Sequence, residues 1–473
     1  MLDATPEQVQ SMLLQVPVEV LVRITYFIST KDLCHVRLTC RALERSLFNF
    51  FSTEFFRKKQ FFVWGESLQA LIAISEHANF SQCLEHVIIA TDAFPDGARP
   101  EPDDQHPNRV QVFLQAAADQ SSLMATGVFR DMLARALSNL PNLKTVDIRD
   151  FNSNTRTRDG VDTTWTSYGS TTLAAATGIS LWPEYRPGMA PGGFMPGKRP
   201  EITPSKIFQA AVAALAVAQA RPEGIEVVVR GSEGLEDSAL YVPRHIHDTV
   251  DPVLAGLKRL HLTLGGGRLT KYPWSRDLTF TAQFLAQTQN LTWLRLNFME
   301  YQADLSDGLL QQLSLPFLER LELGRVRVHS GTMLRVLAKC APTLRSLTFR
   351  RAAFAVTDRD ANGDRRRRRD YVPGWTQFFA ALPRKVPDLD LRELDLSMLA
   401  HDWPDVGSTL PSQGQWVCFY DPDTKEYTAG RKYSNMPLAQ LAKQVTDELR
   451  IGSASERTEL RASLRVAPVT LQP

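Results

Sequence analysis

Leu257-Lys258-Arg259-Leu260-His261-Leu262, Leu291-Thr292-Trp293-Leu294-Arg295-Leu296 and Leu318-Glu319-Arg320-Leu321-Glu322-Leu323 repeat one pattern, Leu-x-x-Leu-x-Leu. Leu344-Arg345-Ser346-Leu347-Thr348-Phe349 and Leu391-Arg392-Glu393-Leu394-Asp395-Leu396 continue it. The alternation in each is that of a strand with one buried face. Looser copies stand at Leu143-Lys144-Thr145-Val146-Asp147-Ile148 and Ile225-Glu226-Val227-Val228-Val229-Arg230. With the apolar run Leu84-Glu85-His86-Val87-Ile88-Ile89 they bring the predicted strands to eight. Helix-like segments precede most of them, as at Phe129 to Leu137, Ile207 to Ala218 and Met333 to Leu337. A strand-plus-helix unit does not bury its own apolar face, so neighbouring units must stack.

Successive first leucines lie 34, 27, 26 and 47 residues apart. The middle spacings resemble those of leucine-rich repeats, about 20–29 residues. The asparagine that usually follows the strand is generally missing, although Asn297 stands just after one. The expected fold class is therefore α/β, an irregular leucine-rich-repeat-like solenoid over residues 81–400. The competing reading is a compact α/β domain whose strands share a pattern.

Two insertions interrupt the expected stack. Residues 150–204 are rich in Gly, Pro, Ser and Thr and carry Trp165, Tyr168, Trp182 and Tyr185, which fits a segment packed over the solenoid or meeting a partner. Residues 357–373 carry Arg365 to Arg369 between Asp364 and Asp370. That run reads as a solvated loop in preference to a nuclear-import signal. Beyond Leu396, Trp416 to Tyr420, a turn at Asp421 to Thr424, and Glu426-Tyr427 read as strand, turn and strand. Leu438, Leu441, Val445 and Leu449 follow at helical spacing, so residues 401–450 are expected to cap the stack. Residues 451–473 and 1–13 read as flexible ends.

Residues 14–52 are a dense apolar block. Pro17 suits a first helical position, and Val20, Ile24, Phe27 and Ile28 follow as one stripe of an amphipathic helix. Ser29 or Thr30 can cap a second helix marked by Leu33, Val36 and Cys40, and Leu43, Leu47 and Phe50 mark a third. So small a unit buries little on its own and is expected to dock on something else.

The order Val16-Pro17-Val18-Glu19-Val20-Leu21-Val22-Arg23-Ile24, then Asp32-Leu33, Arg37 and Cys40-Arg41-Ala42-Leu43 resembles the F-box, with Val16 in place of the usual Leu. The stretch Phe55-Phe56-Arg57-Lys58-Lys59-Gln60-Phe61 and the segment from Glu66 to Ile74 resemble the F-box proteins of filamentous fungi, with linker helices over 53–80. Leu68, Leu71, Ile72 and Ser75 share a helix, and Val87-Ile88-Ile89 is a buried strand.

Composition bounds the function. The chain has 473 residues, 43% hydrophobic and 22% charged, which is ordinary globular usage. Fifty-four basic and 52 acidic side chains leave +2, too little for a global field that would hold nucleic acid or an anionic membrane. No apolar run is long enough to span a bilayer, and acids occupy the start where a secretory signal needs a basic end. Cys34, Cys40, Cys83, Cys340 and Cys418 are scattered, with no disulfide or metal spacing, so an intracellular protein is expected. Cys34 and Cys40 read as packing residues.

No catalytic motif survives inspection. Gly192-Gly193-Phe194-Met195-Pro196-Gly197-Lys198 imitates a phosphate loop. Arg199 then stands where magnesium needs Ser or Thr, Pro196 removes an amide, and Pro200 opposes the required helix. Gly265-Gly266-Gly267 reads as a turn, and His245-Ile246-His247-Asp248 lacks the spacing of a metal site. No cofactor is expected.

The F-box resemblance implies a non-catalytic substrate-receptor subunit of an SCF-type ubiquitin ligase in the cytoplasm or nucleus. A Skp-type adaptor would link it to cullin and RING subunits. The matching adaptor-facing positions are Pro17, Glu19, Leu21, Ile24, Leu33, Arg37, Cys40 and Arg41, the apolar ones filling grooves and the charged ones setting orientation. Alternation places His261, Thr263, Arg295, Asn297, Arg320, Glu322, Thr348, Arg350, Glu393 and Asp395 on a concave face with Trp293 beside it. That mixed-charge face suits a protein partner better than nucleic acid. A non-degradative F-box scaffold and an enzyme with a dispersed site are the alternatives.

Overall fold

The computed structural model describes residues 12–94, 100, 107–152, 157–159, 165–181, 202–231, 234–265, 278–299, 303–304, 309, 313–355, 374–402, 417–421, 424 and 426–451. The phosphate-loop imitation, the five-arginine run, the 357–373 insertion and the tail beyond Ile451 lie outside them. The chain forms two compact units, Met1–Thr203 and Pro204–Pro473.

The first unit opens with a short helix, Met12–Gln15, where a flexible end was expected. Helices Val18–Thr25, Thr30–Thr39 and Arg41–Phe56 follow. Ser29 caps the second, its hydroxyl oxygen accepting from the Asp32 amide at 3.1 Å. Leu21, Leu33, Leu43, Leu47 and Phe55 close a small core, with Val16, Val22, Ile28, Val36 and Phe50 around it. The buried face of the first helix is thus carried by Leu21 and Thr25. The stripe read from the sequence lies outside that core: Val20, Ile24 and Phe27 are exposed, Phe27 at 84%.

Residues 53–80, expected as linker helices, contain strand β1 (Lys58–Phe62) before the helix Gly65–Glu76. β2 (His86–Ala90) and β3 (Thr145–Arg149) pair with it in parallel, Gln60 opposite Ile88 and Ile88 opposite Asp147. Residues 165–181 of the long insertion pack over this sheet. Gln60 donates to the Ser167 hydroxyl at 3.0 Å, and Leu173 and Leu181 join Phe62, Trp64 and Ala90 in one apolar cluster. Trp165 stacks on Phe55, and Tyr168 meets Phe61.

The second unit starts with the helix Pro204–Ala218, proline at its first turn. Its first strands are β4 (Gly224–Val228), β5 (Arg259–Leu264) and β6 (Trp293–Phe298). β7 (Ala303–Asp304), β8 (Arg320–Gly324), β9 (Val326–His329) and β10 (Ser346–Arg350) come next. β11 (Ala353–Ala355), β12 (Glu393–Ser397) and β13 (Ala400–Asp402) complete the series. The long strands lie in the order β4-β5-β6-β8-β10-β12, all parallel. The short ones form a second parallel sheet, β13-β11-β9-β7.

All eight predicted strands are present, and the five full Leu-x-x-Leu-x-Leu copies each enter the strand two residues into the motif. The opening leucine is instead a buried anchor, as Leu257, Leu291 and Leu344 show. The second and third leucines face the helices: Phe349, at the third position, meets Trp375 and Phe378 of the helix Gly374–Lys385. Asn297, expected just past its strand, sits within it. The strand-to-strand turn is itself repeated, because Arg325, Arg351 and Met398 each hold left-handed φ of 53 to 55° one residue past a long strand. Their amides donate to the Arg350, Ser397 and Ala429 carbonyls, which fixes the bend. Near the end of β5, Gly234 approaches so closely that a Cβ there would lie 2.5 Å from the Gly265 nitrogen.

Residues expected as a cap end the sheet. Between β14 (Val417–Asp421) with β15 (Glu426–Thr428) and the helix Leu438–Glu448 runs an unforeseen strand, β16 (Gly430–Ser434). It pairs antiparallel with β12, and β17 (Leu449–Ile451) pairs with β14. Tyr433 donates to Glu448 at 2.8 Å, and Arg431 lies between Asp421 and Glu448. Burial and the Glu448 carboxylate push the Tyr433 phenol well above its ordinary range.

Candidate functional site

Two surfaces gather the residues singled out from the sequence, one in each unit. On the N-terminal helices, Pro17, Glu19, Ile24 and Arg41 are exposed. Leu21 and Leu33 are not: they are 4% and 0% exposed in the helices' own core, so neither is free to fill a partner's groove. Leu21 and Thr25, one turn apart, carry the buried face, and Ile24 lies ~100° around the axis from Thr25, at the exposed side. Arg37 also turns inward, donating to Glu44 at 2.6 Å with its guanidinium 3.3 Å over the Phe51 ring. Cys40 is half-buried at the cap of the third helix. The apolar side chains left outside include Val18, Val20, Ile24, Phe27 and Leu38, the last 81% exposed.

Residues 157–159 hold this helical group from behind. Arg158 donates to both Glu54 oxygens at 3.0 and 2.9 Å and to the carbonyls of Thr25 and Ile28. Asp159 accepts from the Thr30 amide at 2.8 Å and from its hydroxyl, a second cap on the helix Thr30–Thr39. No local pattern marks these residues, since their partners lie more than 100 positions away.

In the second unit, parallel pairing without slippage converts repeat positions into rungs across the sheet face opposite the helices. The first runs Arg259, Trp293, Arg320, Ser346 and Glu393. The second runs Glu226, His261, Arg295, Glu322, Thr348 and Asp395, and Lys432 joins its end from β16. The third runs Thr263, Asn297, Gly324, Arg350 and Ser397. Every predicted face residue therefore lies on one of three rungs.

Exposure is uneven along them. His261, Thr263 and Thr348 were expected as contact residues but are buried. Trp293 stands on the first rung itself. Its indole nitrogen donates to Glu322 at 3.0 Å, the His261 ring meets it edge-on at 4.5 Å, and the Arg320 guanidinium lies 4.4 Å from its ring centre. Arg320 reaches the same Glu322 carboxylate at 2.8 Å, and Arg295 approaches it at 3.7 Å. Asn297 fills the space over Gly324, where a Cβ would lie 2.4 Å from its Oδ1. Asp395 pairs with Lys432 at 3.5 Å. Arg259, Glu226 and Lys432 were missed from the sequence, although the first two sit at the same repeat positions as the residues that were found.

The described residues hold no group of three metal-ligating side chains, and no described helix is long and apolar enough to cross a membrane. His247 is engaged with the Val242 carbonyl at 2.9 Å. None of the five cysteines forms a disulfide.

No protein-family model matches the chain, and no curated protein does. Among solved structures it is similar to the leucine-rich repeat-containing protein LegL7 from Legionella pneumophila, at 13% identity over 83% of this chain and 99% of that one. The TM-score is 0.23, a superposition too loose to align individual residues. The repeat architecture rests on this chain's own registers.

Proposed function

We propose that this chain is an F-box substrate receptor, which docks a Skp-type adaptor on its N-terminal helices and a protein substrate on the sheet face of its second unit. What supports the first half is the apolar surface of Val18, Val20, Ile24, Phe27 and Leu38, exposed on helices whose sequence order resembles the F-box. Scattered surface apolar residues are ordinary, but four on two consecutive helices, with Phe27 in the turn between them, favour a partner. Glu19 stands exposed on the first of these helices and Arg41 at the start of the next, Arg41–Phe56, and both would orient the partner. The chain makes and breaks no bonds in this reading. It raises the effective concentration of a substrate beside a ubiquitin-loaded enzyme.

The test uses the full chain with a purified Skp-type adaptor in size-exclusion chromatography. Ile24→Asp and Pro17→Ala with Glu19→Ala should abolish co-elution without lowering the melting temperature. Unchanged co-elution in these variants would overturn the reading. Recovery of cullin, with a captured protein that loses ubiquitin in the variants, separates a degradative receptor from a scaffold.

A further inference from the structure

We infer that the sheet face of the second unit takes an acidic peptide segment of a partner protein, its carboxylates on Arg295 and Arg350 and an apolar side chain against Trp293. The inference rests on the substrate-receptor reading and supplies the substrate chemistry that reading leaves open.

The charge distribution carries it. On strands β5, β6, β8 and β10 the three rungs hold Arg259, Arg295, Arg320 and Arg350 against one acid, Glu322. The flanking strands reverse the sign, with Glu226 on β4 and Glu393 and Asp395 on β12. A basic field four strands wide is thus bounded by acids on both sides. Within it the charges are not equally committed. Arg320 is taken up by Glu322 and the Trp293 ring. Arg295 is only loosely approached by that carboxylate, and Arg350 is exposed with no side-chain partner among the described residues.

Trp293 is prepared as an anchor. One hydrogen bond and two ring contacts hold it, so a ligand need not order it on binding. Trp and Arg are among the residues in which interface hot spots are enriched. Beneath it, the buried His261 Nε2 has no hydrogen-bond partner among the described residues, an orphan polar atom in the same place.

Spacing selects carboxylates. Arg295 and Arg350 are separated by two strand steps, ~10 Å across the sheet, and by one rung, ~7 Å along it. One phosphate does not span that ~12 Å diagonal, whereas carboxylates four residues apart on one face of an extended peptide, ~13 Å, do. The acidic borders also repel a nucleic-acid backbone that would continue past the patch.

The experiment is fluorescence anisotropy of the full chain with a fluorescein-labelled peptide, Leu-Ser-Glu-Ser-Ser-Ser-Glu, whose Leu and Glu side chains share one face when it is extended. The comparison probes are its counterparts with Gln or phosphoserine in place of Glu and a single-stranded DNA oligonucleotide. The Glu peptide should bind at least about tenfold tighter than the Gln peptide, and weaken as salt rises. Arg295→Ala with Arg350→Ala should lose about tenfold, and Arg350→Glu more, with circular dichroism unchanged. Equal binding of the Glu and Gln peptides to the parent chain overturns the inference, whatever the variants do. Tighter binding of the phosphopeptide or the oligonucleotide overturns it too. Adaptor co-elution is scored on the same preparations: intact co-elution with no peptide preference sinks this inference alone, and lost co-elution with retained preference sinks the adaptor reading alone.

Discussion

Arg158 and Glu54 form a two-pronged ion pair, Nε and Nη2 donating to separate carboxylate oxygens at 3.0 and 2.9 Å. The guanidinium side chain is only 4% exposed and its remaining nitrogen serves two backbone carbonyls at the turn before Ser29. Such a fork uses the planar geometry that lysine lacks. Arg158→Ala leaves Glu54 and both carbonyls short of a donor, and Glu54 is open enough for water to replace part of the loss. We expect a cost of roughly 2–3 kcal/mol, with Arg158→Lys recovering little of it. Hydrogen exchange localises the effect: amides of residues 18–56 should exchange faster, while those of the second unit do not change. Uniform acceleration across the chain would contradict a local clamp.

Asp92 gives the first unit a pH dependence. Burial raises its carboxyl to about 6 from an ordinary 3.8, against an opposing hydrogen bond from Ser167, and its Oδ1 has no partner among the described residues. The folded chain therefore holds a proton that the unfolded chain has released between those two values, so stability falls as pH rises through that window. Above it the ionised group costs on the order of 3 kcal/mol. Asp92→Asn should stabilise the protein at about pH 7.5 and change little at about pH 4. Denaturant titrations at both pH values measure it, and an equal shift at each would exclude Asp92 as the source.

The leucine pattern was legible because one buried face per strand forces alternation, and parallel repetition forces it to recur. The same logic hid β1 and β16. Lys58 and Lys59 make the start of β1 look polar, and β16 arrives antiparallel, so its Arg431, Lys432 and Tyr433 carry no repeat signature. At the N-terminus, periodicity located an apolar stripe at Val20, Ile24 and Phe27 but not what covers it. A helix facing its own core and one facing a partner have the same spacing. Leu21, one position off the stripe, became the core residue. The rungs were readable as alternation, yet burial of His261 depends on Trp293 one strand away, a contact no local reading contains.

Gly169 is constrained twice. Its φ is +84°, and a Cβ there would lie 2.6 Å from a ring carbon of the buried Trp64. It also caps the helix Ser170–Thr177, which carries Leu173 onto the first sheet. Gly169→Ala combines a left-handed backbone with overpacking against a rigid ring, for a total cost of roughly 2–4 kcal/mol. Gly331→Ala is the control, because nothing lies within 4 Å of a Cβ at that position. Thermal melts of the two variants should differ clearly, and equal melts would mean the covering helix has moved aside.

Leu33 and Phe27 separate folding from docking on the N-terminal helices. Leu33 is fully buried among Leu21, Leu43 and Leu47, whereas Phe27 is 84% exposed. Truncating a buried leucine removes its transfer energy and leaves a cavity, so Leu33→Ala should cost about 2–5 kcal/mol. Phe27→Ala touches no core contact and should change stability by less than about 0.5 kcal/mol. Adaptor co-elution should respond in the opposite sense at low temperature. Phe27→Ala weakens it directly, and Leu33→Ala retains it as long as the helices stay folded, losing it only near the lowered melting point. If Phe27→Ala binds as the parent does while Leu33→Ala fails even when folded, the contact surface lies on another face of these helices.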